Sequence, residues 1–321
     1  MLVAATGHDL ICSDYSAIEA VVLAMMAGEQ WRADVFNTHG KIYEQSASKI
    51  SGVPFHEFMF SAGYTADELL HPDWYTRKPS HPTDKHHPLR KTIGKVAELA
   101  SGYGGWIGAW KNFGADKFLT EKEIKDSILA WRKASPMIVE FWGGQFRGNW
   151  EYKRPERYGL EGMAINAIEH PGIEFGYRDV TYYRDGDALY CRLPSGRLLT
   201  YNSPRLRPSE RGGLAISYSR WNTNKSNGAV NQWITVDTYG GRLCENVVQA
   251  VARDIQRHSI LGLEAAGYPV VLHVYDEDIS EVPEGYGSID EFESIMSTMP
   301  DWAAGWPIRA NGGFRAKRYR K

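Results

Sequence analysis

Arg90-Lys91-Thr92-Ile93-Gly94-Lys95-Val96-Ala97-Glu98-Leu99-Ala100-Ser101-Gly102-Tyr103-Gly104-Gly105 is the stretch on which the fold assignment turns. Its pattern predicts a helix from Leu89 to about Gly102, stopped by the glycines around Tyr103. Lys91, Lys95, Leu99 and Tyr103 recur at intervals of four and form one slowly rotating stripe. At the helical rise per residue the stripe is about 18 Å long. Two readings of it stand at this point. Cationic at one end and aromatic at the other, it can lie along a nucleoside triphosphate with lysines on the phosphates and the ring near the base. It can equally be a solvated basic face with Tyr103 as a packed anchor.

Working outward, carboxylates stand at two strand ends. Leu10 to Tyr15 is an apolar run ending in Asp14-Tyr15, and Ser16-Ala17-Ile18-Glu19 has the S-x-x-E form of a capping box. Ile18, Val21, Val22, Met25 and Met26 then follow the spacing of one buried helical face, which Gly28 ends. Near the other end of the chain, Val270 to Tyr275 predicts a short strand, with Asp276-Glu277-Asp278 and Ile279 completing a hairpin. Two aspartates at rigid strand ends offer hard oxygen ligands of the kind Mg²⁺ takes together with substrate phosphates. Each motif alone is also compatible with an ordinary turn aspartate.

The remaining sequence supplies scaffold. A helical region is expected from about Ala33 to Ile50, then an irregular connection over 61–88 with Pro72, Pro79, Pro82 and Pro88. His71, His81, His86 and His87 fall there without the spacing of a metal site. Thr120-Glu121-Lys122-Glu123 is a second capping box, opening a helix with Ile124, Ile128, Leu129 and Trp131 inward and ending at Pro136. Residues 172–240 have β texture with turn signals, and a long helix is expected from Gly241 to Ala266. Arg309 to Lys321 holds six basic residues and no acid, a basic tail.

With 321 residues, 43% hydrophobic and 24% charged, the chain is no disordered tail, collagen-like fibre or histone-like polymer. Cys12, Cys191 and Cys244 are odd in number and widely spaced, the pattern of a reduced, cytoplasmic protein. No apolar run approaches a membrane span, so no membrane partner is expected. The formal charge of −2 argues mildly against a nucleic-acid partner, but it averages acidic surfaces with the basic stripe and the basic tail.

Taken together, Asp14-Tyr15-Ser16-Ala17-Ile18-Glu19-Ala20, the Arg90–Gly105 stretch and His273-Val274-Tyr275-Asp276-Glu277 resemble motifs A, B and C of family A DNA polymerases, in their bacteriophage and prophage branch. The likeness extends to Gly40-Lys41-Ile42-Tyr43-Glu44, to Leu193-Pro194-Ser195-Gly196-Arg197 and to Thr238-Tyr239-Gly240-Gly241-Arg242 leading to Gln249. The resemblance implies an α+β fold: a right-hand palm of antiparallel sheet and helices, with mainly helical fingers holding a β-rich insertion. It implies palm over 1–30 and 240–321 and fingers over 31–239, with the motif B helix at 89–104 and the insertion at 172–239. Thumb and exonuclease domains are expected to be absent from this chain, whose palm and fingers would then work with an N-terminal polymerase fragment.

The roles implied are specific. Asp14 and Asp276 hold two Mg²⁺ ions, supported by Glu277. Lys95 binds the incoming phosphates and protonates the departing pyrophosphate, with Lys91 or Arg90 assisting. Tyr103 packs at the nascent base pair, Gln249 contacts the minor-groove side of the primer–template terminus, and Glu19 screens the ribose 2′-hydroxyl. Leu99 stands where many relatives have an aromatic ring against the incoming sugar, Val21 where Arg is frequent, Tyr275 where His is common, and Glu245 where Asn is. The implied partners are primer–template DNA and dNTPs, in the cytoplasm of a bacterial host. A catalytically silent DNA-binding or assembly module of a replication complex is the alternative from another class; a two-metal nuclease leaves the Lys91–Tyr103 stripe unexplained.

Overall fold

The computed structural model describes residues 2–83, 85–143, 158–208, 214–228 and 230–320. In chain order it runs through β1 (His8–Tyr15), α1 (Ile18–Ala27), α2 (Gln30–Asn37), α3 (Ile42–Ser51), α4 (Phe55–Ser61) and α5 (Ala66–Leu69). A π-helical turn (Arg90–Lys95) leads into α6 (Val96–Ser101), followed by α7 (Ile107–Asn112), α8 (Glu121–Ala134), α9 (Pro136–Trp142) and α10 (Gly159–Glu169). Six strands follow: β2 (Phe175–Tyr177), β3 (Val180–Asp185), β4 (Ala188–Arg192), β5 (Leu198–Pro208), β6 (Leu214–Asn222) and β7 (Gln232–Thr238). The chain ends with α11 (Gly240–Ala265), β8 (Val270–Val274), β9 (Glu277–Pro283), α12 (Ile289–Met296) and β10 (Ala310–Ala316). The antiparallel sheets and helices make the α+β architecture expected. Among the described residues no helix is long and apolar enough to cross a membrane.

The chain divides into two compact units, one of Met1–Val22 with Val248–Lys321 and one of Leu23–Val247. The first holds a four-stranded antiparallel sheet in the order β10-β1-β9-β8. Strand alternation gives this sheet two distinct faces. Leu10, Cys12 and Ile279 form a buried cluster on one, covered by Leu2, Ala4, Phe314 and Tyr319. On the other, Tyr15 donates its hydroxyl to the Met296 carbonyl of α12 at 2.9 Å, and Ser13 bonds Glu293 at 2.9 Å.

The second unit holds a helical body and the six-stranded sheet, whose strands pair antiparallel in chain order from β2 to β7. Val180, Tyr182, Leu189, Cys191 and Tyr201 make its buried face, against which α10 sets Leu160, Ala164 and Ile168. In the helical body Glu98 is the fixed point. Its carboxylate accepts from Arg32 and Ser46 and, at 3.0 Å, from the Trp131 indole, while Arg32 also reaches Ser135 at 2.9 Å. Both members of this ion pair are buried, and removing one partner of such a pair strands the other charge.

Several expectations are corrected. The helix expected over 33–50 is two, interrupted at residues 38–41, where Gly40 takes φ +65°. After Ser16, Ala17 takes φ +52° with its carbonyl accepting from Val21, and α1 begins at Ile18. The Thr120–Glu123 box is present in both directions. The connection over 61–88 contains α5, itself opened by a capping box on Thr65, and a 3₁₀ turn at Trp74–Thr76. The basic tail is not free. Most of it is β10 on the edge of β1; Arg315 pairs with Asp9, and Lys317 with Asp9 and Glu284, because the tail meets acids that the linear sequence separates from it.

The segment expected as plain α-helix begins with a π turn, Arg90–Lys95. Gly94 sits so close to α3 that a Cβ there would lie 1.9 Å from the Tyr43 carbonyl oxygen, a backbone atom that cannot step aside. Gly94→Ala is therefore expected to lower folding stability by about 2 kcal/mol, read as the shift in a urea unfolding midpoint. A second expectation concerns Glu161 in α10. Burial raises its carboxyl to about 7, against a smaller opposing pull from the Gly240 amide. A carboxyl raised on folding favours the folded state fully below its ordinary value near 4.5, and that contribution is lost as pH rises through about 7. Glu161→Gln should thus flatten the pH dependence of stability between these limits, by about 3 kcal/mol relative to the parent, in unfolding titrations at each pH.

Candidate active site

The carboxylates of the first unit gather through strand register. In the β1–β9 pairing Asp14 lies directly opposite Glu277 and Ser13 opposite Asp278. Residues so paired have Cβ atoms roughly 5 Å apart on one face. Asp276 is the next residue out, in the two-residue turn Tyr275-Asp276 that joins β8 to β9 with Val274 opposite Glu277. Asp14, Asp276 and Glu277 therefore share one end of the sheet, and Asp14 is exposed there while Asp276 is half-buried. Tyr275 carries the positive φ of the turn, +56°, and is 90% exposed. A bulky residue in that conformation is strained backbone, the kind of strain that gathers at functional sites.

The opposite neighbour of β1 contributes a bulge. Cys12 pairs with Phe314 and Asp14 with Asn311, so β10 spends one more residue than β1 between the two pairs. Gly312-Gly313 supplies it: Gly312 has φ +82°, and a Cβ on Gly313 would come within 2.9 Å of the Cys12 carbonyl. Bulges of this kind re-aim an adjacent side chain and recur beside active sites; here the adjacent side chain is Asp14.

Glu277 is buried and accepts a 2.6 Å hydrogen bond from the Tyr319 hydroxyl. The bonded carboxylate, with burial, pushes that phenol up to about 12. Burial, with Glu277 adding repulsion, raises the Cys12 thiol to about 12 as well, so it is an inert core residue. Alternation turns the third acid, Asp278, to the other face. It is fully buried, and its oxygens accept from Gln256 at 2.9 Å and Ser259 at 3.2 Å on α11. Burial raises Asp278 to about 6, with those two hydrogen bonds pulling the other way. Arg253 extends the network, donating to Gln256 at 2.8 Å and lying 3.3 Å from the His273 ring. This anchor beneath the hairpin was not foreseen, although three consecutive acids followed by strand alternation signal that one must face inward.

Among the described residues no three His, Cys, Asp or Glu side chains converge as a ready-made metal cage. Mg²⁺ keeps waters and takes one or two carboxylates plus substrate phosphates. Exposed Asp14 beside half-buried Asp276 is a donor set of that kind, all oxygen and open to solvent on one side.

In the second unit the basic stripe is exposed along the π turn and α6. Lys91, Lys95 and Leu99 face outward, while Ile93, Gly94, Val96, Ala97 and Ala100 face inward. Arg90 differs from the lysines. Its Nε donates to the Glu44 carboxylate at 2.7 Å and its guanidinium lies over the Tyr43 ring, so its charge is already engaged by Tyr43-Glu44 of the motif region near Gly40. Tyr103 is half-buried in a loop held by Trp142, which donates to the Gly102 carbonyl, and by Arg132, which donates to the Gly104 and Gly105 carbonyls. From below, Gly241 abuts the Tyr103 carbonyl and Gly240 the Trp142 carbonyl, each so near that a Cβ would fall within 2.1 Å. The glycine pair opening α11 is thus a packing requirement for Tyr103. Glu19 lies exposed in the first turn of α1 and Gln249 is exposed on α11.

No family model matches the chain. The DNA polymerase of Bacillus phage SP02 is 37% identical to it over 308 residues, 95% of this chain and 40% of that protein. The chain thus spans about two fifths of the length of this curated relative. Among solved structures, the POL domain of Pol1 from M. smegmatis, in complex with DNA primer-template and dNTP, superposes with a TM-score of 0.53 at 15% identity, over 98% of this chain and 41% of that one. The structural likeness speaks for the fold alone, and the sequence likeness sets most of this chain alongside part of a phage DNA polymerase.

Proposed function

We propose that the chain carries the nucleotidyl-transfer site of a template-directed DNA polymerase, with Met1–Val22 and Val248–Lys321 as palm and Leu23–Val247 as fingers containing the β-rich insertion. The observation that carries the reading is the register that puts Asp14 opposite Glu277, with Asp276 beside it at the hairpin turn. In the reaction the primer 3′-oxygen attacks the α-phosphorus of a dNTP, the bond to the β-phosphate oxygen breaks and pyrophosphate leaves. Bound Mg²⁺, two ions per site, lowers the energy of the attacking oxygen and of the charge that develops on the pyrophosphate.

The chain's own residues position and neutralise. Asp14 and Asp276 hold the cations, and Glu277, tied to Tyr319, keeps the carboxylate end in place. Lys95 grips the triphosphate and passes a proton to the leaving pyrophosphate, with Lys91 further along; Arg90 serves mainly by bracing the π turn through Glu44. Tyr103 packs at the nascent base pair, Leu99 lies near the incoming sugar, Glu19 screens its 2′ position, and Gln249 reads the minor-groove side of the primer–template terminus. Catalysis on this reading is positioning and charge stabilisation, which is how transfer of this class is generally achieved.

Primer extension with Mg²⁺ and dNTPs tests it, using the chain alone and with a polypeptide matching the rest of the phage relative supplied in trans. Extension that Asp276→Asn and Asp14→Asn each reduce by a factor of about a thousand or more supports the reading. No extension in either format, with primer–template binding retained, favours a silent DNA-binding module instead. In the same assay Glu19→Ala is expected to raise ribonucleotide incorporation at least tenfold over the parent; unchanged selectivity removes Glu19 from sugar discrimination.

A further inference from the structure

Among the described residues, the six-stranded sheet has a face opposite the one that α10 covers, and the proposed chemistry does not use it. Register defines it. Tyr183 of β3 lies opposite Tyr190 of β4, which lies opposite Thr200 of β5. Two residues on, Asn202 lies opposite Ser219 of β6, and two beyond Ser219 is Trp221, which pairs with Trp233 of β7. Alternation keeps all of these on one side of the sheet, away from buried Tyr182, Leu189, Cys191 and Tyr201.

That face carries aromatic rings at both ends and small polar residues between. Tyr183 and Tyr190 stack with centroids 5.2 Å apart, and Trp221 and Trp233 meet edge to face at 5.8 Å. The tryptophans are 49% and 59% exposed, an unusual cost in contact with water for two large rings on a six-stranded sheet. The strands bearing the two pairs, β4 and β6, are separated by β5 alone, about 10 Å at ordinary strand spacing. Arg205, opposite Ser217 on this same face, is exposed and without an ion pair among the described residues. Residues 198–238 contain five Arg and Lys against two acids, in a chain whose net charge is −2.

We propose that this face binds single-stranded nucleic acid, its bases stacked on the tyrosine and tryptophan pairs and its phosphates drawn by Arg205, while Arg207 is engaged by Asp237. A sheet presenting aromatics for base stacking with arginine for the backbone is how single strands are held without reading sequence. A protein partner would call for an apolar centre with charge depleted; here the centre is Thr200, Asn202 and Ser219.

The test uses the whole chain and fluorescence anisotropy of a fluorescein-labelled oligothymidylate of about a dozen nucleotides. It is run in EDTA without dNTP, so that the result is independent of whether the chain polymerises. Trp221→Ala/Trp233→Ala should weaken binding at least tenfold, while Trp221→Phe/Trp233→Phe, which keeps the rings, should stay within threefold of the parent. Trp221 and Trp233 are exposed, and an unchanged thermal unfolding midpoint verifies folding. A loss under tenfold in the alanine pair, an equal loss in the phenylalanine pair, or an equal loss for a blunt duplex of the same length overturns the proposal.

Discussion

The antiparallel register of β1 on β9 is the constraint on which the carboxylate end depends. Because side chains alternate, a slip of one residue would carry Asp14 to the opposite face of the sheet from Glu277. The register is held from both sides. Leu10, Cys12 and Ile279 bury together on one face; Ser13 and Tyr15 bond α12 on the other. Asp278, buried between Gln256 and Ser259, pins β9 where a slipped strand would leave a carboxylate without partners. The tight turn at Tyr275-Asp276 and the glycine bulge on β10 then set the direction of the two aspartates from either side.

The other unit solves a similar problem with glycines and one buried ion pair. Gly94 admits the Tyr43 carbonyl to the side of the π turn, and Gly241 admits the Tyr103 carbonyl at the head of α11. Glu98, anchored by Arg32, Ser46 and Trp131, fixes the rotation of α6 so that Lys95 and Leu99 face outward. Lys91 and Lys95 are exposed, and two acids of the same region are engaged elsewhere, Glu98 with Arg32 and Glu44 with Arg90.

Much of this was legible in the sequence, and what was not has physical causes. Asp14, Asp276 and Glu277 were readable because a strand end followed by a turn announces itself through apolar runs and acids. The Thr120 cap was readable because its determinants lie within four residues. The π turn was not, since it depends on contact between Gly94 and Tyr43, about fifty residues apart. The Arg90–Glu44 ion pair and the pairing of Lys317 with Asp9 and Glu284 were not legible either. In each case the missing information was a partner distant in sequence.

The central claim is that Asp14 and Asp276 act as one divalent-cation site. A crystal structure of the whole chain with Mn²⁺ and a non-hydrolysable dNTP, read from the anomalous signal of the metal, tests it most directly. The account predicts density bridging the Asp14 and Asp276 carboxylates and the nucleotide phosphates. Metal bound to the phosphates alone, or at carboxylates other than these two, would contradict it.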